Sequence, residues 1–317
     1  MWSAGGRASG YPPPIVGPTI AHPAGRALLA ALALTASGAW PRPAAARDEL
    51  VIGLIPETNV FRQKARFQAL GEVLGRTVGV PIRFTVLSRY GNILERFESG
   101  HMDGAFFGSF TGALAIERLG VIPLARPLHP DGVSTYHGLI FVRRDGGIRT
   151  AADMRGKRMA FVDRATTAGY IFPVAWLRAA GARDPLKWFR QSYFTGSHDA
   201  AIDAVLGGDA DVGAAKNTEW ERLAARDPRV DRELLVVARS GNVPSNGLCV
   251  RKDLEAPVRE ALRQALLGMH LRPEGARALA AVGATRFIET SAADYAPVRE
   301  MAEKAGLRLE SYRYRND

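Results

Sequence analysis

FVDRATTAGY, residues 161–170, closes one element and opens another. The apolar run Arg158–Val162 has the composition of a strand, and the apolar periodicity from Ala168 to Ala180 is that of a helix. A strand, a short turn and a helix make the unit from which parallel α/β sheets are built. A helix start leaves several backbone N–H groups without an intrahelical partner and carries partial positive charge. Thr166 and Thr167 set two hydroxyls beside those donors, the Ala168 N–H lies among them, and Gly169 admits a close approach to the backbone. Such a start can hold an oxyanion without a metal. Taken alone, however, Thr ahead of an apolar helix is an ordinary N-cap.

The same arrangement occurs earlier, in Phe107-Gly108-Ser109-Phe110-Thr111. Here a strand ends, Gly permits a tight turn, and Ser109 and Thr111 stand at a helix start. Capping explains either stretch by itself, but two such starts facing each other would bracket one anion. A third strand end reads Thr195-Gly196-Ser197-His198-Asp199, where His198 is placed to donate to an oxyanion and Asp199 to cap. A fourth, Asp211–Asn217, brings Lys216 and Asn217 to a strand end. Lys216 reads equally as a solvated surface cation or as a counter-charge in a cleft. Tyr90 and Tyr136 offer hydroxyl donors at cleft edges, or are simply packed aromatics.

Outward from these stretches the chain alternates short apolar strands with amphipathic helices, giving two α/β series. Strands are expected at Leu50–Ile55, Ile82–Leu87, Gly104–Phe107 and Val121–Ala125. Tyr136–Val142 is expected to carry the chain out of the first series as one strand. Further strands are expected at Gln191–Thr195, Ala210–Ala214 and Leu234–Ala238. Leu248–Val250 then returns the chain, and three helical runs follow. Residues 47–138 with 245–317 are therefore expected to form one lobe and residues 139–244 the other, two crossings making a hinge beside a cleft. Ligands of open α/β sheets sit at the carboxyl ends of strands, where these stretches lie.

The amino-terminal residues read differently. Arg26, the short apolar run Ala27–Trp40 and Pro43-Ala44-Ala45-Ala46 follow the order of a secretory signal peptide, with cleavage expected after Ala46. Export to the periplasm follows, as does a soluble mature protein, since no run reaches the length of a membrane span. The three arginines of that segment (Arg7, Arg26 and Arg42) take the formal charge from +10 to about +7 in the remainder. The excess suits anionic ligands. The basic residues are scattered rather than interleaved with aromatics, which gives nucleic-acid binding no support. The single cysteine, Cys249, allows no internal disulfide, and none stands at the cleavage site for a lipid anchor. The histidines lack metal-ligand spacing, and no nucleophile–base order or dinucleotide fingerprint is present. No catalytic residue, metal or cofactor is expected.

In order and at these spacings, Ala105-Phe106-Phe107-Gly108, Phe161-Val162-Asp163 with Thr166–Tyr170, and Gly196-Ser197-His198-Asp199 resemble the phosphate/phosphite/phosphonate-binding (PhnD-type) proteins of ABC importers. The resemblance covers Leu50 to Met269. It implies a type II periplasmic-binding-protein fold, with two Rossmann-like α/β lobes joined by two crossing strands and a ligand cleft between. The family's Ser-Thr-Ser anion loop falls on Thr166, Thr167 and Ala168, the last keeping only its N–H. Its ligand-contacting histidine falls on His198 and a first-lobe tyrosine on Tyr90, while a second tyrosine is Phe107 here. Lys216 stands where aminophosphonate binders carry an acidic residue, which implies a ligand without an amine. The implied partners are a small oxyanion and an ABC permease, or a sensor histidine kinase, with an enzyme on the same fold a more distant alternative.

Overall fold

Residues 48–314 are described by a computed structural model. The segment read as a signal peptide lies outside them. Among the described residues no helix is long and apolar enough to cross a membrane.

A six-stranded sheet holds β1 (Leu50–Leu54), β2 (Ile82–Val86), β3 (Gly104–Phe107), β4 (Ile122–Leu128), β12 (Gly247–Val250) and β13 (Arg286–Glu289), in the order β13-β4-β12-β3-β1-β2. β1 runs parallel to β2 and β3, and the returning β12 is antiparallel to β3 and β4. A five-stranded sheet repeats the plan with β6 (Gly138–Arg143), β7 (Arg158–Phe161), β8 (Gln191–Phe194), β9 (Val212–Lys216) and β10 (Leu234–Arg239), in the order β10-β6-β9-β7-β8. β7 is parallel to β8 and β9, and β6 is antiparallel to β9.

The run expected as one strand, Tyr136–Val142, is two. β5 (Thr135–Tyr136) pairs antiparallel with β11 (Val243–Pro244), and β6 begins only at Gly138. His137 is where the chain leaves one sheet for the other, so no single ladder accommodates the whole run. The β5–β11 ribbon carries both crossings, each sheet forms the centre of one lobe, and the cleft lies between. β9 likewise starts and ends two residues later than Ala210–Ala214, and β13 was not foreseen.

Helices cover the sheets. α1 (Val60–Val78) starts at Asn59, whose Oδ1 accepts the Phe61 and Arg62 N–H groups at 3.2 and 3.3 Å. Its apolar face joins Phe67 to Phe84 and Phe106 edge-on at 5.4 and 5.5 Å, so aromatic burial fastens helix to sheet. α2 (Asn92–Glu98) and α3 (Ser109–Leu119) follow on the same lobe. The second lobe carries α4 (Phe172–Ala179), α5 (His198–Leu206), α6 (Asn217–Ala224) and α7 (Arg229–Glu233). After β12 come α8 (Ala256–Leu267), α9 (Pro273–Ala281) and α10 (Ala296–Lys304).

α10 packs on both α3 and α4, and the chain beyond it also touches both lobes. Tyr312 stands edge-on to Phe110 at 5.1 Å and donates its hydroxyl to the Arg164 carbonyl at 2.9 Å. Tyr314 lies over Gly91, where a Cβ would strike its ring, and donates to Asp163 Oδ2 at 2.8 Å. Cys249 is fully buried on β12 with Sγ 3.9 Å from Tyr295 Oη, and burial pushes its thiol up to about 12.

Candidate functional site

The loop over residues 163–167 is shaped by its own turn. Asp163 Oδ1 accepts the Ala165 N–H at 2.7 Å, and the Asp163 carbonyl accepts both the Thr166 N–H at 3.0 Å and the Thr166 hydroxyl at 2.6 Å. Thr166 therefore spends its O–H inside the turn and does not offer it to a ligand, contrary to expectation. The helix beyond opens one residue earlier than expected, as a π-helical turn over Thr167–Ile171 that passes into α4. The Ile171 N–H reaches back to the Thr166 carbonyl at 3.0 Å. Such wide turns recur at functional sites, and this one leaves its first amides without an intrahelical carbonyl.

Gly169 serves packing rather than ligand approach. A Cβ there would sit 2.8 Å from Thr166 Oγ1 and inside the contact distance of Val162 Cβ. Ala168 packs inward likewise, its Cα 3.1 Å from where a Cβ on Gly138 would lie. Its side chain is buried against the crossing strand and does not line the cavity.

The loop before α5 comes to the same place by pairing with β7's extension. Thr195 and Gly196 donate N–H bonds to the Phe161 and Val162 carbonyls, both at 2.9 Å, and Gly196 holds φ +82° there. Ser197 caps α5, accepting the Ala200 N–H, and contacts Asp199. His198 is thereby carried into the interior at 3% exposure. Its Nδ1 accepts the Lys216 N–H at 3.2 Å, which fixes the tautomer with the proton on Nε2. Burial, offset only in part by the Glu57 charge and aided by that of Lys216, holds the ring down at about 4. At neutral pH His198 is a neutral donor.

From the first lobe, the Phe110 N–H at the start of α3 donates to Thr167 Oγ1 at 2.9 Å, bridging the lobes and leaving the Thr167 O–H as a donor. Ser109 is differently engaged. Its Oγ lies 2.8 Å from Tyr136 Oη and 2.7 Å from the Pro244 carbonyl, so it ties α3 to both crossing strands. Thr111 donates back to the Gly108 carbonyl at 3.1 Å within the first turn of α3 and does not line the cavity. The opposed pair Ser109 and Thr111 thus supports the site rather than donating into it.

What encloses the space is a small cavity between the lobes, lined by Tyr90, Thr166, Thr167, His198, Tyr136 and Ser109 among others. Tyr90 is 2% exposed, and its hydroxyl has no hydrogen-bond partner. Burial, reinforced by the charges of Glu57 and Asp163, raises its pKa well above the ordinary value, so it is a neutral O–H donor. Its ring meets His198 edge-on at 6.2 Å.

Lys216 and Asn217 lie outside this cavity. Lys216 Nζ reaches Glu57 Oε1 at 2.9 Å and Asn246 Oδ1 at 3.3 Å, and stands 4.3 Å from the Tyr136 ring centre. It is buried and paired, not a free counter-charge. Asn217 Oδ1 accepts the His137 N–H at 2.9 Å, a contact that pins the crossing strand to β9. Glu57 and Asn246, which do line the cavity, were missed by sequence reasoning. Burial alone would raise the Glu57 pKa, but the charge and hydrogen bond of Lys216, then His198 and Arg222, hold it well below the usual carboxylate range. Glu57 follows β1 at its carboxyl end, a position the rule for open α/β sheets marks. Asn246 sits between β11 and β12, and only the crossing topology brings it in.

The lobes also meet at the cleft rim. Thr58 donates to Asp199 Oδ2 at 2.8 Å, Arg62 lies 3.5 Å from the same oxygen, and the His198 N–H reaches the Glu57 carbonyl at 3.2 Å. No group of metal-ligating side chains is found among the described residues.

This arrangement can be set beside known proteins. A family model described as ABC transporter, phosphonate, periplasmic substrate-binding protein matches residues 52–295. The phosphate-import protein PhnD of Mycolicibacterium smegmatis is 28% identical over 179 residues, 54% of this chain, which spans only 56% of that relative's length. The phosphonates-binding periplasmic protein of Escherichia coli is 23% identical over 82% of this chain and 78% of its own. Among solved structures, a binding protein component of an ABC phosphonate transporter from Pseudomonas aeruginosa superposes with TM-score 0.75 at 21% identity, covering 81% of this chain and 86% of that one. PhnD1 of Prochlorococcus marinus, in complex with methylphosphonate, gives 0.73 at 21% identity over 82% and 98%. The fold is that of the type II periplasmic binding proteins, and the chain belongs to the phosphonate-type periplasmic substrate-binding proteins of ABC transporters.

Proposed function

We propose that this protein is a periplasmic receptor for a small tetrahedral oxyanion, which it delivers to an ABC permease. Phosphate, phosphite and phosphonates lacking an amine are the ligands that fit. Residues 47–138 with 245–317 act as one lobe and 139–244 as the other, closing about the β5–β11 ribbon. The observation that carries this reading is the Tyr90 hydroxyl, buried without a partner against a small cavity between the lobes. A buried donor left unsatisfied costs about 1–3 kcal/mol, which an anion entering the cavity returns.

Around that anion, Tyr90 Oη, the Thr167 hydroxyl, His198 Nε2 and the first amides of the π-turn act as donors. All are neutral, so selectivity rests on geometry and on the number of donors rather than on a bulk cation. Half a dozen such bonds, with lobe closure, are enough for the roughly 8 kcal/mol of a micromolar receptor. No group in this set is activated for chemistry: His198 accepts from a backbone amide, and the Thr166 hydroxyl is tied into its own turn. The receptor reading therefore stands ahead of an enzymatic one.

The test is calorimetric titration of the protein from residue 47 with phosphate, phosphite, methylphosphonate, sulfate and 2-aminoethylphosphonate. Binding of at least one of the first three in the micromolar range or tighter is expected, with aminoethylphosphonate weaker. Silence from all three overturns the reading.

A further inference from the structure

The anion cavity is not the end of the cleft. Past Glu57 and Asn246, which belong to the walls of both, lies a second chamber of about 60 Å³ between α1 of one lobe and the start of α6 of the other. One wall is apolar, with Phe67, Phe106 and Phe287. The other presents Arg66 from α1 and Arg222 from α6.

The charges of this chamber do not balance. Lys216 pairs with Glu57, and Arg222 with the buried Glu219. Arg66 remains, so three cations stand against two carboxylates. Arg66 Nε is sealed from solvent without any hydrogen-bond partner. Burial, and next the charge of Arg222, work against the protonated form of its guanidinium. Two guanidiniums from opposite lobes thus repel each other across an open space, one of them incompletely satisfied. An anion between them would answer both the missing acceptor and the repulsion, and would draw the lobes together.

We propose that this chamber is a second anion subsite, so that the cleft accepts phosphonates whose organic substituent ends in another anionic group, held by Arg66 and Arg222. The proposal rests on the oxyanion reading for the first cavity. The phosphonyl group lies at Thr167 and His198, the methylene chain passes the Lys216–Glu57 pair along the phenylalanine wall, and the terminal anion meets the two arginines. A substituent ending in an ammonium meets one excess positive charge instead.

The test compares alkylphosphonates with ω-carboxyalkylphosphonates of the same chain length, one to three methylenes, by calorimetry on the protein from residue 47. At the matching length the carboxylate is expected to tighten binding at least tenfold, and the gain to shrink as salt is raised. Arg66→Gln should abolish that gain while phosphite affinity stays within about twofold of the parent. Equal affinities across every matched pair overturn the proposal, as does a gain that survives in Arg66→Gln. The matched pairs need no variant, so a folding defect in the substitution cannot hide the answer. If phosphite and methylphosphonate bind but no carboxylate gain appears, only this inference falls. If none of them binds, the receptor reading falls and takes this one with it.

Discussion

Tyr90 and His198 meet edge to face beside the cavity, and each makes a different demand on the folded protein. Removing the Tyr90 hydroxyl takes away an unsatisfied buried donor, so Tyr90→Phe should leave the ligand-free protein as stable or up to about 1 kcal/mol more stable. The same change should weaken binding of the best oxyanion by roughly 10- to 100-fold, because a hydrogen bond to a charged group contributes about 1.5–3 kcal/mol. Thermal melts with and without ligand read both effects. For His198 the folded value of about 4 lies below the ordinary 6.5. Between those limits the unfolded chain binds the proton that the folded chain refuses, so stability falls as pH drops from 6.5 to 4 and levels off below. The span is about 3 kcal/mol. His198→Asn, whose Oδ1 can take the Lys216 N–H, should flatten that limb of the stability curve in chemical denaturation across pH 4–7. Tyr90, Thr167 and His198, all singled out in the sequence, line the cavity together with Glu57 and Asn246, which were not. Residue types did not show where each hydroxyl points. Thr166 and Ser109 were legible as hydroxyls near a helix start, but only the turn geometry and the crossing strands decide that both are engaged elsewhere.

At the scale of elements, the π-turn and its glycine carry the loop over residues 163–167. Gly169→Ala forces a methyl group against Val162 and the Thr166 hydroxyl, backbone-proximal neighbours that cannot swing away. We expect a loss of about 1–3 kcal/mol in denaturant unfolding, with oxyanion affinity falling as the loop shifts. Alanine at Gly147 or Gly208 is not an equivalent control, because both hold positive φ. Strand and helix alternation was plain in the sequence wherever an apolar run ended in a polar turn, and α5 follows the expected bounds His198–Leu206. Other features escaped. β13 is a four-residue edge strand with charged ends, so its alternation is short and its signal weak. α6 buries only Glu219 and Trp220, which gives it little apolar period to detect. The break at His137 spans a single residue, and only the change of sheet divides β5 from β6.

At the scale of the whole molecule, the lobes are held together by contacts at the cleft rim. Thr58 and Arg62 of one lobe engage Asp199 of the other, and the Glu57 carbonyl takes the His198 N–H. Burial alone would raise the Asp199 pKa, but bonds from Ser197, Thr58 and the Asn59 and Ala200 amides hold it below the ordinary value. Thr58→Val removes one of these bonds outside the cavity. The closed population should drop, and apparent affinity with it, by roughly tenfold for a charge-assisted bond. Small-angle scattering should show the ligand-free variant more open than the parent, while saturating ligand restores the compact form. The two-lobe plan was readable because α/β series repeat on either side of the crossings. The rim contacts were not, since Thr58 and Asp199 stand 141 positions apart and Thr58 belongs to no motif.

Cys249 gives this protein a practical use. It is the sole thiol in the sequence, fully buried, with its ionisation suppressed to about 12. A maleimide dye added to the native protein will therefore pass it by, and a cysteine introduced at exposed Phe61 will be the one position labelled. Standing at the start of α1 beside the Thr58–Asp199 contact, such a fluorophore would change its surroundings as the rim opens and shuts. The protein then becomes an optical reporter of its ligand without any need to engineer away a native cysteine.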